Sequence, residues 1–192
     1  EEPTIEGNRF IVRRTKNGDT GMLQNHVLLP EAGNAQIEKV GGKGKEFWVF
    51  GTNYPNDALP NRPDDANERG AWRVEVSPAA PATEDCFLNV MQVADNTCKR
   101  MHDVKRIDAE KVVGVQIADR VVTFSRDSQP LSGKVDMKVD GNAAMKFVIT
   151  DLIPGTWQIK KDGKVYIPAM EVRSDDGILS FEGTAGHYEF LR

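Results

Sequence analysis

Hydrophobic and polar residues alternate along most of this chain. In Lys134–Val139 every second residue is valine or methionine, and Met145–Ile149 repeats the pattern with methionine, phenylalanine and isoleucine. A period of two is typical of strands that bury one face, because successive side chains point to opposite sides of a sheet. Similar segments recur from end to end, so the pattern predicts an all-β protein of short antiparallel strands.

Gly, Asn and Asp residues mark tight turns between the predicted strands. Asp140-Gly141-Asn142 separates the two segments above, and we expect a hairpin there because Gly and Asn tolerate a positive φ. Asp162-Gly163 predicts a second hairpin, and Asp175-Asp176-Gly177 predicts a further turn. Helix signals are nearly absent, and the one candidate for a helical turn is Asp108–Val112. The other strands are predicted at Arg9–Thr15, Met22–Leu29, Gln36–Val40, Glu46–Phe50, Trp72–Val76, Cys86–Val93, Val112–Ile117, Val121–Phe124, Trp157–Lys160, Val165–Met170, Ile178–Phe181 and His187–Leu191.

The length of 192 residues suits one β-rich domain, because β-sandwiches commonly reach about 200 residues. The predicted fold class is an antiparallel β-sandwich. A weak boundary near 95–108 divides the chain into residues 1–95 and 96–192. These halves are either the two stacked sheets of one sandwich or a large sandwich followed by a smaller C-terminal β module. We expect them to pack as one continuous domain.

Composition and charge argue against several classes of function. The formal net charge is -4 and the basic residues are scattered, so the chain lacks the clustered positive surface that binding to nucleic-acid phosphates requires. No apolar run approaches the roughly 20 residues that span a bilayer. The chain starts at Glu1 without a signal sequence, and we therefore expect a trimmed or mature product.

The spacing of Cys86 and Cys98 matches neither a CxxC redox pair nor a zinc motif. We favour two unpaired thiols, with Cys86 buried in a strand. A disulfide between them is the alternative.

Residues 51–70 break the alternation. The stretch GTNYPNDALPNRPDDANERG is rich in Pro and Asn, and such a long irregular segment is usually a functional loop or locally disordered. Asp57, Asp64, Asp65 and Glu68 offer oxygen ligands for calcium, but they lack the regular spacing of a calcium loop. We therefore expect a solvated acidic loop, no bound metal and no cofactor.

Trp48, Asn53 and Tyr54 form the candidate binding site at the mouth of this loop. A sugar site combines an aromatic ring that stacks on the pyranose with amide groups that hydrogen-bond to its hydroxyls, and these residues supply both types. The structural alternative is that Trp48 packs in a core and Asn53 forms a turn. The other tryptophans, Trp72 and Trp157, alternate with polar neighbours, and we expect both in the core.

The three histidines do not predict a metal site. His26 lies in a predicted strand, where an ordinary sheet-surface histidine is favoured over a base or a ligand. His102 lies in a polar stretch, and zinc needs three or four converging ligands, which isolated histidines do not indicate. His187 and Tyr188 are neighbours in one strand and should point to opposite faces.

Three stretches in the first half carry a resemblance to a known family. They are Leu28-Leu29-Pro30, the segment VGGKGKEFWV with Gly51-x-Asn53-Tyr54, and WRVEVSP followed by D-x-FLNVMQV. Their order and spacing resemble the β-rich C-terminal part of heparinase II/III-like polysaccharide lyases. This resemblance covers residues 20–95, whereas the second half resembles only a generic β module.

The resemblance implies a part of a larger enzyme. Members of this family join an α/α toroid to a β-sandwich and cleave uronate-containing polysaccharides by β-elimination. That reaction needs a group that neutralises the uronate carboxylate and a Tyr or His base that removes the C5 proton. Much of this equipment belongs to the toroid, for which an all-β chain of 192 residues has no room.

The leading hypothesis is therefore the C-terminal β-sandwich portion of a heparinase II/III-like lyase from a bacterium, located in the periplasm or secreted. It would be inactive alone and would support the toroid or line the polysaccharide cleft. Its expected partners are a polysaccharide and the toroid. One alternative is a free-standing carbohydrate-binding or cell-surface β module, and another is a small lyase that works without a toroid.

Overall fold

The computed structural model describes residues 1–54, 71–98 and 100–192, and these residues form strands and no helix. The prediction of an all-β protein is confirmed. The described chain divides into two compact units, Glu1–Met101 and His102–Arg192. Its strands are β1 Thr4–Glu6, β2 Arg9–Lys16, β3 Asp19–Leu29, β4 Ala35–Gly41, β5 Trp48–Val49, β6 Thr52–Asn53, β7 Trp72–Pro78, β8 Leu88–Asp95, β9 Val104–Asp108, β10 Val112–Ile117, β11 Arg120–Ser125, β12 Lys134–Val139, β13 Met145–Ile149, β14 Gly155–Lys161, β15 Lys164–Val172, β16 Leu179–Gly183 and β17 Gly186–Leu191.

The first unit is built around a four-stranded antiparallel sheet in the order β1-β2-β3-β8. Two-stranded sheets formed by β4 with β7 and by β5 with β6 complete its described strands. Burial is concentrated at the end of β3, in residues 25–28, and at Leu88 and Gln92 of β8. Met91 and Val93 lie on the opposite face of β8 from Gln92, and they are 66% and 78% exposed. The first unit therefore leaves part of one sheet face open to solvent.

The second unit is a two-layered β-sandwich. One layer has five strands in the order β16-β13-β11-β10-β9, and the other has four in the order β12-β17-β14-β15. Neighbouring strands are antiparallel except β11 and β13, which are parallel. Inward-facing residues of both layers form one hydrophobic core, to which Phe147 and Phe181 contribute from the first layer and Trp157 and Tyr188 from the second. This arrangement is the β-sandwich that the alternation predicts.

Aromatic rings fill the centre of this core. The ring of Phe147 stacks on Phe181 at 4.8 Å between centroids and tilts against Tyr188 at 4.7 Å. Burial of a phenol or an indole is costly unless its polar atom finds a partner. The Tyr188 hydroxyl donates to the carbonyl oxygen of Thr184 at 2.6 Å, and Trp157 Nε1 donates to that of Ile153 at 3.0 Å. Both side chains therefore fill the core without an unsatisfied donor.

The predicted hairpin between β12 and β13 is wrong. β12 pairs with β17 in one layer, whereas β13 lies between β11 and β16 in the other. Both strands show the predicted alternation of buried and less buried residues. That alternation specifies which face of a strand is buried and does not specify its partner. The Asp140-Gly141-Asn142 segment therefore belongs to a connection that crosses from one layer to the other.

The predicted hairpin at Asp162-Gly163 is confirmed. Lys161 pairs with Lys164 across the turn, and φ is 50° at Asp162 and 77° at Gly163. Two residues of positive φ form the turn whose twist matches that of the flanking strands. The turn residues predict the pairing correctly here because β14 and β15 are neighbours in the same sheet, unlike β12 and β13.

Other local predictions need correction. The helical turn at Asp108–Val112 is wrong, because residues 109–111 join β9 to β10 and Ala109 donates its backbone N–H to the carbonyl oxygen of Val112 at 3.0 Å. The strand predicted at Glu46–Phe50 is shorter in the structure, where it contains only Trp48–Val49. The sequence pattern does not predict β1 or β9. Short strands contain too few residues to show a period of two.

Two predictions about burial are also wrong. Cys86 is exposed and precedes β8 instead of lying within it, and both cysteines are free. Trp72 is only partly buried, with the Lys39 ammonium 5.8 Å from the ring centroid, whereas Trp157 is fully buried as predicted. Alternation places Trp72 on one face of β7 but does not show how completely that face is covered.

Replacement of Gly183 by alanine should destabilise the second unit. A Cβ at this position would lie 2.4 Å from the Tyr188 hydroxyl oxygen and 3.2 Å from Phe147 Cε2, and both rings are fully buried. Overpacking of this kind typically costs about 1–3 kcal/mol. Denaturant unfolding of Gly183→Ala should therefore show a lower midpoint. Gly21→Ala is the matched control, because nothing lies within 4 Å of its added Cβ. An unchanged midpoint for Gly183→Ala would show that the core is not tightly packed there.

Candidate functional site

The candidate binding residues lie on the short hairpin formed by β5 and β6. Trp48 pairs with Asn53, and Val49 pairs with Thr52. Phe50 and Gly51 form the turn, with φ of 47° and 81°. Glycine adopts this conformation freely, but a residue with a Cβ meets a cost of about 1–2 kcal/mol. Phe50 has this conformation although its side chain is 100% exposed, so burial of the ring does not offset the conformational cost.

Asn53 stabilises this hairpin with its side chain. Its Oδ1 accepts a hydrogen bond from the backbone N–H of Phe47 at 2.8 Å. Hydrogen bonds from the backbone amides of Glu46 and Gly44 hold the pKa of the Glu46 carboxyl below its ordinary value, and the Asn53 side chain adds to them. This geometry agrees with the turn-forming alternative for Asn53.

Trp48 and Tyr54 present aromatic surface on the same hairpin. The Trp48 side chain is partly buried, and the Lys45 ammonium lies 5.2 Å from its ring centroid. Tyr54 follows β6 and is 59% exposed, while its backbone N–H donates to the carbonyl oxygen of Phe47 at 3.2 Å. The structure therefore brings Trp48 and Asn53 together as cross-strand partners, with Tyr54 adjacent in sequence to Asn53. A sugar-binding role for the three residues stays a prediction.

The acidic residues of the irregular loop, Asp57, Asp64, Asp65 and Glu68, lie outside the described residues. Within residues 1–54, 71–98 and 100–192, no cluster of three or more His, Cys, Asp or Glu side chains has the arrangement of a metal site. The same residues contain no helix long and apolar enough to cross a membrane.

His26 is buried, so its predicted location on the sheet surface is wrong. The side chain is 8% exposed, and its Nε2 lies 2.9 Å from Nδ2 of Asn8. The same Nδ2 donates to the carbonyl oxygen of Val27 at 3.0 Å, which identifies it as the amide nitrogen. An amide nitrogen only donates, so Nε2 must accept and the imidazole must be neutral. Burial, with a smaller contribution from the charge of Arg9, lowers the pKa of His26.

The burial of His26 has a cause that alternation does not reveal. Residues 25–28 are all buried, so this end of β3 is covered on both faces. A strand that is buried on both sides loses the alternating pattern that identifies its surface residues.

The remaining histidines, His102 and His187, belong to the second unit. His187 is exposed and its Nε2 lies 3.3 Å from Asp136 Oδ2, whereas the neighbouring Tyr188 is fully buried. The prediction that these two neighbours face opposite ways is confirmed. Burial raises the pKa of Tyr188 to about 12. His102 is exposed in the segment that precedes β9.

A comparison with protein families finds a match within the second unit. Residues 106–192 match the family model of the heparinase II C-terminal domain, from within β9 to the last residue of the chain. This match confirms the resemblance to the C-terminal region of heparinase II/III-like lyases. It lies outside residues 20–95, so the expectation that the second half resembles only a generic β module is wrong. A search of curated proteins finds no match to the chain.

The neutral state of His26 should make stability depend on pH. The folded state lowers this pKa below its unfolded value of about 6.5, so the unfolded state binds more protons as the pH falls. The stabilisation is present above about pH 6.5 and is lost as the pH falls towards the folded pKa. Denaturant unfolding between pH 8 and about pH 5 should show a shallower decline in stability for His26→Gln than for the wild type.

His187→Gln is the matched control for this pH series, because His187 is exposed. Comparison with this variant separates the loss of the buried imidazole from the loss of an exposed histidine. Equal slopes for His26→Gln and the wild type would contradict the assignment of a buried neutral imidazole.

Proposed function

We propose that this chain is the C-terminal β-sandwich portion of a heparinase II/III-like polysaccharide lyase, in which it supports the catalytic domain or lines the polysaccharide cleft. The match of residues 106–192 to the heparinase II C-terminal domain carries this proposal. The two-layered sandwich of the second unit, with its continuous core, agrees with a domain of this kind. The proposed location is the bacterial periplasm or the extracellular space, and the proposed partners are an α/α toroid and a uronate polysaccharide.

The described residues support a role without catalysis. β-Elimination needs a base within reach of the C5 proton and a group that neutralises the carboxylate. The His26 imidazole is buried against Asn8, and the Tyr188 hydroxyl is buried against the Thr184 carbonyl. The Tyr166 hydroxyl donates to the Glu182 carbonyl oxygen at 2.9 Å. Each of these three polar groups is therefore already engaged in a hydrogen bond of the fold.

The β5-β6 hairpin supports contact with the polysaccharide. Trp48 and Tyr54 offer ring faces for stacking on pyranose C–H groups, and the Lys45 ammonium beside Trp48 offers a charge for a uronate carboxylate. Asn53 would act by holding the hairpin in shape, because its Oδ1 already accepts the Phe47 N–H. The substrate-binding set is thus Trp48 and Tyr54 at the surface, with Asn53 positioning them.

A free-standing carbohydrate-binding module is the second candidate, and Phe50 supports sugar binding by the chain itself. Its left-handed backbone and fully exposed ring both cost free energy, and strained residues of this kind cluster at functional sites. A ring held outwards at the tip of a hairpin is suited to stacking on a sugar. This feature serves binding whether or not the chain is joined to a toroid.

Retention on an immobilised uronate polysaccharide should depend on the hairpin. Trp48→Ala and Tyr54→Ala should each weaken binding about fivefold, because loss of one stacked ring removes about 1 kcal/mol. Affinity electrophoresis in gels containing the polysaccharide measures this change directly. Phe87→Ala is the matched control, because Phe87 is also exposed in the first unit but lies outside the hairpin.

Catalysis by the chain alone is monitored in the same samples from the absorbance of unsaturated uronate. We expect a flat trace with each polysaccharide. A rise that depends on the protein would contradict the proposed role and would support a small lyase that needs no toroid. Equal retention of the Trp48→Ala, Tyr54→Ala and Phe87→Ala variants would remove the hairpin from the binding surface.

A further inference from the structure

A surface cavity of about 390 Å³ lies in the second unit, where the β9–β10 and β11–β12 connections meet. This volume falls within the roughly 300–1,000 Å³ of small-molecule sites. The lining residues are Glu110, Lys111, Arg126, Asp127, Gln129, Pro130, Leu131 and Ser132. The cavity thus combines two cations, two carboxylates, an amide and a small apolar surface.

Hydrogen bonds hold the first wall of this cavity in place. Arg126 donates its backbone N–H to the carbonyl oxygen of Lys111 at 3.0 Å and its Nε to that of Ala109 at 3.1 Å. The guanidinium also forms an ion pair with Asp108. Arg126 therefore fastens the β9–β10 connection to the start of the β11–β12 connection.

The second wall is fixed by the core. Leu131 is buried, and its backbone N–H donates to the carbonyl oxygen of Asp151 at 2.6 Å. Its own carbonyl oxygen accepts from the backbone of Ile153 at 3.0 Å. The Lys111 ammonium joins the two walls by donating to the carbonyl oxygen of Ser132 at 3.3 Å. A cavity with fixed walls loses little conformational entropy when it binds a ligand.

Several polar groups in the cavity keep unused hydrogen-bonding capacity. Asp127 Oδ1 accepts from the Ser125 hydroxyl at 2.9 Å and from the Gln129 backbone at 3.1 Å. These two bonds lower the pKa of Asp127, with the Gln129 bond as the larger cause. Among the described residues, nothing bonds to Asp127 Oδ2 or to the side chains of Glu110 and Gln129. The Lys111 ammonium is bonded to a neutral carbonyl, so its charge is available to an anion.

We propose that this cavity is a subsite for one uronate residue of a polysaccharide. The sugar hydroxyls would bond to Asp127 Oδ2 and to the Gln129 amide, the uronate carboxylate would face the Lys111 ammonium, and Pro130 would lie against C–H groups of the ring. The choice of a uronate as the ligand rests on the proposed function. The geometry of the cavity is independent of that proposal. The subsite belongs to the second unit and is separate in sequence from the β5-β6 hairpin.

Titration of the full chain with D-glucuronate, D-glucose and inorganic sulfate, followed through backbone amide NMR shifts, tests this subsite. Glucuronate should give saturable shifts in residues 110–111 and 126–132, glucose should bind more weakly at the same residues, and sulfate should not saturate. Lys111→Gln should weaken glucuronate binding at least fivefold and should weaken glucose binding less, because glucose has no carboxylate to face the ammonium. Asp127→Asn should weaken both, although its retained Oδ1 keeps the loop bonds. Lys164→Gln is the charge-matched control, because this exposed lysine is the first residue of β15 and is not among the residues that line the cavity.

Three results would overturn the subsite. They are the absence of saturable shifts at the cavity with glucuronate, equal saturation with sulfate, and unchanged glucuronate binding in Lys111→Gln. The Trp48→Ala variant separates this proposal from the role of the hairpin, because cavity shifts should persist in it with wild-type affinity. If cavity binding persists while polysaccharide retention is lost, the subsite stands and the hairpin accounts for the retention. Retention without cavity shifts would leave the proposed function in place and remove the subsite.

Discussion

Closure of two sheets over one aromatic core is the interaction on which the second unit depends. Phe147, Phe181 and Tyr188 meet at its centre, and the Tyr188 hydroxyl is satisfied by the carbonyl of Thr184, close to Gly183. Such a core requires inward-facing residues from both layers, and it therefore fixes the connections that run between them. The β9–β10 and β11–β12 connections form the walls of the proposed uronate subsite. These connections join strands of the sandwich, so the packing of the core determines the shape of the cavity.

The buried residues of the first unit differ in character from those of the second. The described residues of the first unit bury few large apolar side chains, and its buried set includes the polar side chains of Asn25, His26 and Gln92. Buried polar groups are tolerated only with partners, which explains why Asn8 uses its amide on both His26 and Val27. The same unit exposes aromatic rings on the β5-β6 hairpin. The proposed contact with a polysaccharide would account for the exposure of Phe50 and Tyr54.

The sequence predicts the strands well where a period of two is long enough to read. Val112–Ile117, Lys134–Val139 and Met145–Ile149 have the predicted bounds. Their pairing could not be predicted, because a turn at Asp140-Gly141-Asn142 is equally compatible with a hairpin and with a crossing between layers. The conformation of Phe50 also escaped prediction, since an aromatic residue before glycine is not a strong turn signal.

The site was harder to predict than the fold. Trp48, Asn53 and Tyr54 are close in sequence, and a short hairpin keeps Trp48 and Asn53 paired in space. The cavity of the second unit instead combines residues from two connections, and no spacing in the sequence reveals that they meet. The family match includes the residues that line this cavity and does not include the hairpin. The candidate binding residues predicted from the sequence therefore lie outside the part of the chain that matches the family.

The most direct test of membership in a larger lyase is the open reading frame that encodes this chain. We expect it to continue upstream of Glu1 into a predicted α-helical region of several hundred residues, long enough to form an α/α toroid. A reading frame that begins immediately before Glu1 would contradict the proposal and would favour a free-standing carbohydrate-binding module.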